Sequence, residues 1–447
     1  MASSRKSKSD LIDRVADTIS PVVPIGSSLL VGLSGGVDSV VLLHLLSRLS
    51  AQFDWQLSAL HVHHGISRHA DAWVEFCRGF CTRLRIPLVV EHVDITPLRE
   101  MGIEAAARKL RHAALSGQAA DFVVLAHHRD DQIETMLLQM LRGAGVRGAA
   151  AMPLLKLREE APALLRPLLE LERSELERYA VEQGLRWVED DSNADVSYPR
   201  NFLRHQVLPL MADKFPSYRT TLARSAGHFA EAADLLEQLA MLDADQGMVG
   251  NRLDVAVICR LNAARGRNLL RHFLLQCGAV MPDSTRLEEI LRQVCSARQD
   301  ARVEINWQGW QLRLFRGHIH VFPALQPPQS FNLLWHGEER LVLPGSHGVL
   351  MLEPVLGSGL NLKLLQQQGM SVRARAGGEH MRLAENRPRQ SVKNLLHESG
   401  LPPWLREQVP LIYCGNEVVA IPGVAISKTF CAREIEQGIM ASWSCLE

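Results

Sequence analysis

The sequence has no long apolar run, no closely paired cysteines and no excess of either charge. Its longest apolar stretch near the N-terminus, residues 21–33, is interrupted by Gly26 and two serines and falls short of the ~20 residues of a membrane span. The basic residues before it are not followed by a cleavable apolar segment of the secretory type. We therefore expect a cytoplasmic protein without a membrane partner.

The cysteines and the charge balance exclude further classes of protein. Eight cysteines are scattered over 447 residues without a C-x-x-C pair, a spacing that fits neither a disulfide framework nor a zinc ribbon. We therefore expect no zinc, no iron–sulfur cluster and no tightly bound organic cofactor. Lys plus Arg number 49, as do Asp plus Glu, so a nucleic acid would have to bind local basic patches.

What the sequence does contain is a regular alternation of strand-like and helix-like segments over residues 27–193. Longer segments of helical period separate the strand-like runs. Such alternation predicts an α/β fold with a doubly wound parallel sheet and helices on both faces. The strand-like runs are SLLVGL, LSALHVHH, PLVVEHV, FVVLAHH, ALLRPLL and RWVED.

The chain is too long for one ordinary core, and its pattern changes twice. A run with prolines at 209 and 216 is followed by helical period to about residue 294, then by strand-like segments after residue 301. A proline-bearing stretch precedes the last part of the chain. We predict a catalytic domain over 1–215, a mainly helical middle domain over 216–325 and a small α+β domain over 326–447.

Ser34-Gly35-Gly36-Val37-Asp38-Ser39 lies between the first strand and the first long helix of the alternating region. Ligands bind beyond the carboxyl ends of strands in such sheets. The two glycines bring backbone N–H groups close to phosphate oxygens, and the helix N-terminus adds partial positive charge. The serines offer hydroxyl donors, and Asp38 can hold Mg²⁺. A plain strand-to-helix turn capped by Asp38 is the alternative.

Two further segments end strands of the same predicted sheet. His61 begins the His-rich end of the second strand, where histidines either satisfy buried polar groups or, less readily, bind a metal. His127 and His128 precede Asp130 and Asp131 at the start of a helix. These carboxylates would suit a cationic amine substrate, and a histidine could accept its proton. Ordinary helix capping is the alternative for both carboxylates.

Basic residues are in excess between residues 196 and 224, a segment that contains five Lys and Arg residues and one acidic residue. Arg200 and Arg204 belong to this segment, and phosphate contacts are one use of such an excess. A solvated charged surface is the alternative for Lys214, Arg219 and Arg224.

The loop Ser34–Ser39 resembles the SGGxDS loop of the PP-loop, or N-type ATP pyrophosphatase, superfamily, whose fold is adenine nucleotide alpha hydrolase-like. No lysine follows the glycines as it does in a GxxxxGK[ST] loop. Together with the other segments, the chain resembles the tRNA(Ile)-lysidine synthetase family in its three-domain form. The matching stretches include LSGGVDSVVLLHLL, HVHHGISRHADAWV, GIEAAARKLRHAAL, AHHRDDQIETMLLQMLRGAG and EDDSNADVSYPRNFLRHQVLP.

The resemblance implies a ligase that joins L-lysine to C2 of the wobble cytidine of tRNA(Ile) with a CAU anticodon. ATP would adenylate the C2 carbonyl and release pyrophosphate, and attack by lysine would then release AMP. The product, lysidine, would change codon recognition from AUG to AUA and acceptor identity from Met to Ile. The resemblance also implies that the middle and last domains bind tRNA.

The same resemblance assigns roles to residues. Asp38, Asp130, Asp131 and His128 would be catalytic, with His128 as candidate proton acceptor. Asp130 and Asp131 would receive the lysine, and Asp38 would hold Mg²⁺, shared with Asp130. The predicted ATP-binding residues are Ser34, Gly35, Gly36, Val37, Asp38, Ser39 and His61, and those for tRNA or phosphate are Arg108, Arg200, Arg204, Arg387 and Lys393.

Three other functions stay open at this point. A PP-loop tRNA thiolase needs an activated thiol, yet Cys77 lies in an apolar helical pattern. A non-catalytic RNA-binding protein would have no use for the carboxylates, and a glutamine- or ammonia-dependent amidotransferase would need a glutaminase-like domain. The sequence leaves open the oligomeric state, including a homodimer, the identity of the general base and the tRNA positions that are recognised.

Overall fold

The computed structural model describes residues 10–158, 161–190, 194–298, 303–384 and 388–445. The chain divides into two compact units, Met1–Leu236 and Glu237–Glu447. The division into three domains at residues 215 and 325 stays a prediction. None of the helices in the described residues combines the length and the apolar character that crossing a membrane requires.

A six-stranded sheet forms the centre of the first unit. Its spatial order is β3-β2-β1-β4-β6-β5, and every neighbouring pair is parallel except β5 with β6. The predicted α/β fold with a parallel sheet is therefore confirmed. The strands are β1 (Ser28–Gly32), β2 (Gln56–His63), β3 (Leu88–His92), β4 (Phe122–Val124), β5 (Leu155–Lys156) and β6 (Ala163–Leu165).

Ten helices are assigned between the strands and after them in the described part of the first unit. They are α1 (Leu11–Ile19), α2 (Val37–Phe53), α3 (Ala70–Leu84), α4 (Ile103–Ser116), α5 (Arg129–Leu141), α6 (Val146–Ala149), α7 (Arg173–Glu182), α8 (Pro199–Phe202), α9 (Leu208–Lys214) and α10 (Tyr218–Ala244), which continues into the second unit. A 3-10 helix spans Thr96–Met101, and a π-helical turn spans Leu203–Val207.

Alternate side chains of β1 pack on opposite faces of this sheet, as the period of a strand requires. Leu29 and Val31 belong to the larger core with α2, α3 and α7, whereas Leu30 packs in a second cluster with Leu115 of α4. Helices therefore cover both faces. Since α2 buries eight apolar side chains at about 1.5–3 kcal/mol each, it anchors the loop that precedes it.

The prediction of a strand over RWVED is wrong. Residues 186–190 form no strand, and the Val188 N–H is donated instead to the Gly35 carbonyl at 3.0 Å. Trp187 packs against the larger core. The apolar character of this segment thus reflects its packing beside the Gly35 turn rather than membership of the sheet.

The second unit begins with helices and a small sheet. A five-stranded sheet in the order β7-β8-β11-β10-β9 accompanies the predicted helices. A disulfide joins Cys259 to Cys295 across α11 and α13, a pairing that the spacing of the cysteines did not predict. The elements are β7 (Met248–Val249), β8 (Arg252–Asp254), α11 (Val255–Cys259), α12 (Ala263–Gln276), α13 (Ser284–Ser296), β9 (Glu304–Trp307), β10 (Trp310–Phe315) and β11 (His318–Pro323).

The rest of the second unit is built on two sheets. One has seven strands, in the order β12-β16-β19-β20-β17-β18 with β21 beside β20, and the other has the order β13-β14-β22-β15. The elements are β12 (Asn332–Leu334), β13 (Arg340–Val342), β14 (Val349–Leu356), β15 (Leu360–Asn361), α14 (Leu362–Gln368), β16 (Met370–Arg373), β17 (His380–Met381), β18 (Gln390–Ser391), α15 (Val392–Glu398), α16 (Pro403–Arg406), β19 (Leu411–Cys414), β20 (Glu417–Ile421), β21 (Ala425–Ile426) and β22 (Gln437–Ser444), with a 3-10 helix over Lys428–Phe430.

Candidate active site

The loop between β1 and α2 is fixed by contacts of its own residues. Gly35 has φ +89°, and a Cβ there would lie 2.8 Å from Cγ2 of Val188, so both the turn and the close approach require glycine. The hydroxyls of Ser34 and Ser39 are 3.1 Å apart, and Ser39 donates to the Gly36 carbonyl at 3.0 Å. The loop is therefore organised before any ligand binds.

The N-terminus of α2 opens directly from this loop. Gly36 is its N-cap, and within the described residues no side chain caps the first turn. The N–H groups of that turn are thus left to an external acceptor, and the helix dipole favours an anion at this point. This arrangement suits phosphate oxygens better than the alternative of a helix capped by Asp38.

Asp38 offers an oxygen that the protein itself does not satisfy. Its Oδ1 is buried without a hydrogen-bond partner among the described residues, while Oδ2 lies 3.7 Å from Nε2 of His128. A buried carboxylate oxygen of this kind suits a cation. The described residues contain no cluster of three protein ligands for a metal, but Mg²⁺ ordinarily takes one or two carboxylates and completes its shell with phosphate and water.

His128 is the centre of three carboxylates. It is the N-cap of α5, it is 1% exposed, and its ring nitrogens lie 3.4–3.7 Å from oxygens of Asp38, Asp130 and Asp131. Burial opposes the charged form, but the nearby Asp38, Asp131 and Asp130 outweigh it and raise the pKa of His128 above its usual value. The ring thus favours the protonated form more than a free imidazole does.

Asp131 and Glu134 share two arginines from the segment after α7. Arg200 donates to Oδ1 of Asp131 at 2.9 Å and to Oε2 of Glu134 at 2.7 Å, and Arg204 donates to Oε1 of Glu134 at 2.7 Å. Glu134 is fully buried, whereas the side chains of Arg200 and Arg204 are 21% and 23% exposed, so the network joins a carboxylate out of water to two guanidiniums at the edge of the solvent. Burial opposes ionisation of Asp131, but His128 and Arg200 lower its pKa to about 2.

Asp131 also has the capping role that was considered as an alternative. Its Oδ2 accepts the backbone N–H of His128 at 3.0 Å, in a capping box at the start of α5. The Asp131 carboxylate therefore both caps α5 and binds Arg200, because its other oxygen accepts from that guanidinium. The capping alternative is confirmed for Asp131 and does not extend to Asp130.

Asp130 is held by the two segments that flank the site. Its Oδ1 accepts from Nε of Arg219, on the first turn of α10, at 2.6 Å, and its Oδ2 accepts from the backbone N–H of Arg173 at 3.2 Å. Burial would raise the pKa of Asp130, but these donors lower it. Asp130 is therefore ionised and fixed in orientation.

Of the histidines at the strand ends, His61 is buried and His127 is half-buried. His61 is 4% exposed, with Nδ1 2.8 Å from the Leu33 carbonyl, so it supports the strand that leads into the loop. This contact matches its alternative role of satisfying a buried polar group. Burial lowers the pKa of His127 to about 4, against the opposing charge of Asp131 and with the help of Arg166, so it is neutral.

The predicted basic residues fall in different places. Arg108 lies on α4 and lines a basic pocket, whereas Lys393 is exposed on α15 in the second unit. Arg387 lies outside the described residues. Arg200 and Arg204 face carboxylates in this structure, so any phosphate contact would require them to share or exchange partners.

One rim of the first unit thus brings together the loop Ser34–Ser39, His128, Asp130 and Asp131. Glu134 and Arg219 were missed as site residues by the sequence reasoning. The signal for Glu134 was its place one helical turn after Asp131 on α5, where residues three apart share a face. Arg219 was noted only as a member of the basic segment 196–224, because its carboxylate partner is 89 residues away in the sequence.

Comparisons with known proteins agree with this geometry. Family models match as a PP-loop domain over residues 8–211, a TilS substrate binding domain over 253–320 and a TilS substrate C-terminal domain over 370–443. A tRNA(Ile)-lysidine synthase of Nitrosomonas europaea is 42% identical, over 99% of this chain and 98% of that protein. Those of Azoarcus sp. and Coxiella burnetii are 40% and 38% identical, over 93% and 92% of this chain and 92% of each relative.

Proposed function

Because the chain belongs to the tRNA(Ile)-lysidine synthase family, a family of ATP-using tRNA ligases that form lysidine on tRNA(Ile), we propose how its own residues divide that reaction. The observation that carries the proposal is the meeting of the loop Ser34–Ser39 with His128, Asp130 and Asp131 at one rim. Phosphate binding, carboxylate binding of an amine and proton transfer can all occur within that space.

The loop Ser34–Ser39 is the proposed phosphate end of the site. Backbone N–H groups of the loop and of the first turn of α2 bind the β and γ phosphates of ATP. The hydroxyls of Ser34 and Ser39 become further donors when they exchange the hydrogen bonds that they make within the loop for phosphate oxygens. The α phosphorus then faces the oxygen on C2 of the wobble cytidine. Adenylation makes that oxygen a good leaving group, and pyrophosphate departs.

Asp38 is the proposed magnesium ligand, because its buried Oδ1 has no partner among the described residues. Asp130 remains the second predicted ligand, although both of its oxygens already accept hydrogen bonds. When bound, Mg²⁺ would neutralise charge on the departing pyrophosphate. His61 lies 2.8 Å from the Leu33 carbonyl and so supports the loop, and its contact with ATP stays a prediction.

The carboxylates of α5 are the proposed amine end. Asp130 and Asp131, with Glu134 beside them, offer negative charge to the ammonium group of L-lysine. Asp131 already binds Arg200 and Arg204, so lysine must compete with at least one guanidinium. A displaced Arg200 or Arg204 becomes free to bind an RNA phosphate, which reconciles the two predicted roles of this segment.

His128 is the proposed proton acceptor. Attack on C2 requires a neutral amine. The ring nitrogens of His128 lie within 3.7 Å of carboxylate oxygens of Asp38, at the phosphate end, and of Asp130 and Asp131, at the amine end. Its raised pKa makes it a stronger base than a free imidazole, but it must first lose its own proton. After the amine has bonded to C2, AMP leaves and the modified cytidine reads AUA instead of AUG.

The direct test is incorporation of labelled lysine into tRNA(Ile) with a CAU anticodon by the purified full-length chain. We expect incorporation to require ATP and Mg²⁺ and to be absent with tRNA(Met), whose anticodon has the same three bases. Incorporation of a sulfur donor, or of another amine in place of lysine, would overturn the substrate assignment. The cytoplasmic location and a homodimer also remain proposals, to be tested by cell fractionation and by sedimentation of the pure protein.

A further inference from the structure

A basic pocket lies beside the active-site rim, between α4 and the end of the sheet formed by β5 and β6. Its volume is about 470 Å³, and Leu164 of β6 forms part of its lining. Four cationic side chains line it, and no carboxylate does so among the described residues. The cationic residues are Arg108, Lys156, Arg158 and Arg166.

Arg166 is the strongest sign that this pocket is made for an anion. Arg166 is 7% exposed, yet no carboxylate in the described residues pairs with it. One guanidinium nitrogen donates to the Pro153 carbonyl at 2.9 Å, while Nε has no partner. A buried guanidinium without an opposing charge is costly, so a bound anion would offset that cost.

The neighbours of Arg166 increase the positive potential rather than neutralise it. Arg158 donates to the hydroxyl of Ser116 at 2.6 Å, and Lys156 is an exposed residue of the pocket lining. Burial, followed by the charges of Arg158 and Arg108, lowers the pKa of Arg166 to about 10. Like charges gathered in one concave site attract an anion more strongly than the same charges dispersed on a surface.

The pocket is also next to the catalytic residues. Arg166 directly follows β6 and His127 comes shortly after β4, and these two parallel strands are neighbours, with the Leu125 N–H donated to the Leu165 carbonyl at 2.9 Å. The charge of Arg166 also acts on His127, which directly precedes His128. An RNA strand that places its base at the rim would therefore carry a neighbouring backbone phosphate past this pocket. Arginine and lysine side chains are among the groups that bind backbone phosphates in protein–nucleic acid complexes.

We propose that the pocket lined by Lys156, Arg158 and Arg166 binds a backbone phosphate of the tRNA substrate next to the modified nucleotide. This assignment rests on the proposed function, because it takes tRNA as the polyanion that reaches the rim. Free pyrophosphate shares the same chemistry and is the other source of an anion there. If the anion is an RNA phosphate, loss of the pocket weakens the affinity for tRNA. If it is free pyrophosphate, loss of the pocket weakens inhibition by pyrophosphate.

The experiment compares two charge-removing double variants of the full-length chain. Lys156→Gln/Arg158→Gln removes two pocket cations without touching the buried Arg166. Arg178→Gln/Arg186→Gln removes two exposed cations of the first unit that do not line the pocket, with Arg178 on α7 across the sheet from α4. Both variants change the net charge equally, so a non-specific electrostatic effect is common to both.

The measurement is the affinity for tRNA(Ile) as a function of salt. Each phosphate contact contributes about 0.9 to the slope of log affinity against log salt for a duplex and about 0.7 for a single strand, or roughly 3-fold between about 50 and 200 mM. We expect the pocket variant to lose about 1–2 from that slope and to bind tRNA roughly 3- to 10-fold more weakly at low salt. Its KM for ATP and its inhibition by pyrophosphate should equal those of the wild type.

Three results separate the outcomes. A slope equal to that of the Arg178→Gln/Arg186→Gln control overturns the proposal. An unchanged slope with weaker pyrophosphate inhibition assigns the pocket to the free anion and also overturns the RNA assignment. Lysine incorporation by the wild type is measured in parallel, so failure of the proposed function is seen there and not mistaken for failure of this inference.

Discussion

Replacing Gly35 by alanine perturbs the loop at the residue that has least room for a side chain. A left-handed φ of +89° costs an L residue about 1–2 kcal/mol. The new Cβ would also meet Val188 Cγ2 at 2.8 Å and Cys77 Sγ at 3.4 Å. Since the Val188 N–H is bonded to the Gly35 carbonyl, relief of the contact must move the loop itself.

A displaced loop should lose its alignment with the phosphates of ATP. A misplacement of about 1 Å typically costs about 100-fold in rate, which corresponds to about 2.7 kcal/mol at 1.36 kcal/mol per tenfold. We therefore expect kcat/KM for ATP to fall about 100-fold in the Gly35→Ala variant. Pyrophosphate release, measured against ATP concentration at saturating tRNA and lysine, reports this value directly.

Gly26→Ala is the matched control for backbone strain. Gly26 has φ +82° with nothing within 4 Å of its would-be Cβ, and it precedes β1 at the end opposite to the loop. Its Tm should fall by about 2–4 °C for each kcal/mol of strain, with unchanged ATP kinetics. If Gly35→Ala matched Gly26→Ala in both Tm and ATP kinetics, the reasoning about the loop would be refuted.

Three further variants test the carboxylates and the histidine. Asp38→Asn should reduce pyrophosphate release about 100- to 1000-fold while tRNA binding by filter assay stays unchanged, and equal loss of both would contradict a local role. Glu134→Gln should lower the free energy of unfolding by about 3–5 kcal/mol, because Arg200 and Arg204 lose a buried partner. The control Glu177→Gln, in the exposed pair with Arg173, should lower it by less than about 1 kcal/mol. Equal denaturant midpoints for the two variants would disprove this. In the wild type, single-turnover transfer of lysine should rise with pH through a pKa above 6.5, because only neutral His128 accepts a proton, and His128→Asn should be slower and lack that inflection.

Local patterns in the sequence correctly predicted the elements whose structure depends on residues close by in the chain. The glycines and hydroxyls of Ser34–Ser39 predicted a strand-to-helix loop, and the alternation of runs predicted the parallel sheet. Both follow from short-range geometry, namely φ preferences and the periods of strand and helix. Asp130 lies in the first turn of the helix that follows β4, and because β4 is the parallel neighbour of β1, the sheet brings Asp130 to the same rim as Asp38.

Long-range pairings could not be predicted in the same way. Arg200 and Arg204 lie 66–73 residues from the carboxylates that they bind. Their role as partners of Glu134 is therefore decided by how α8, which holds Arg200, and the π-helical turn that holds Arg204 pack beside α5. The disulfide between Cys259 and Cys295 depends on how α11 meets α13. RWVED was mistaken for a strand because Trp187 and Val188 favour strands, whereas in the structure they lie half-buried in a loop whose Val188 N–H bonds to the Gly35 carbonyl.

The most direct test of phosphate binding by the loop Ser34–Ser39 is the fate of labelled ATP when lysine is withheld. With tRNA(Ile) and ATP labelled at the α phosphorus, we expect label attached to the RNA, which a chase of lysine then releases as AMP. With ATP labelled at the γ phosphorus, the label should appear in pyrophosphate. Release of that label as orthophosphate, with ADP as the other product, would contradict binding of the β and γ phosphates by the loop Ser34–Ser39.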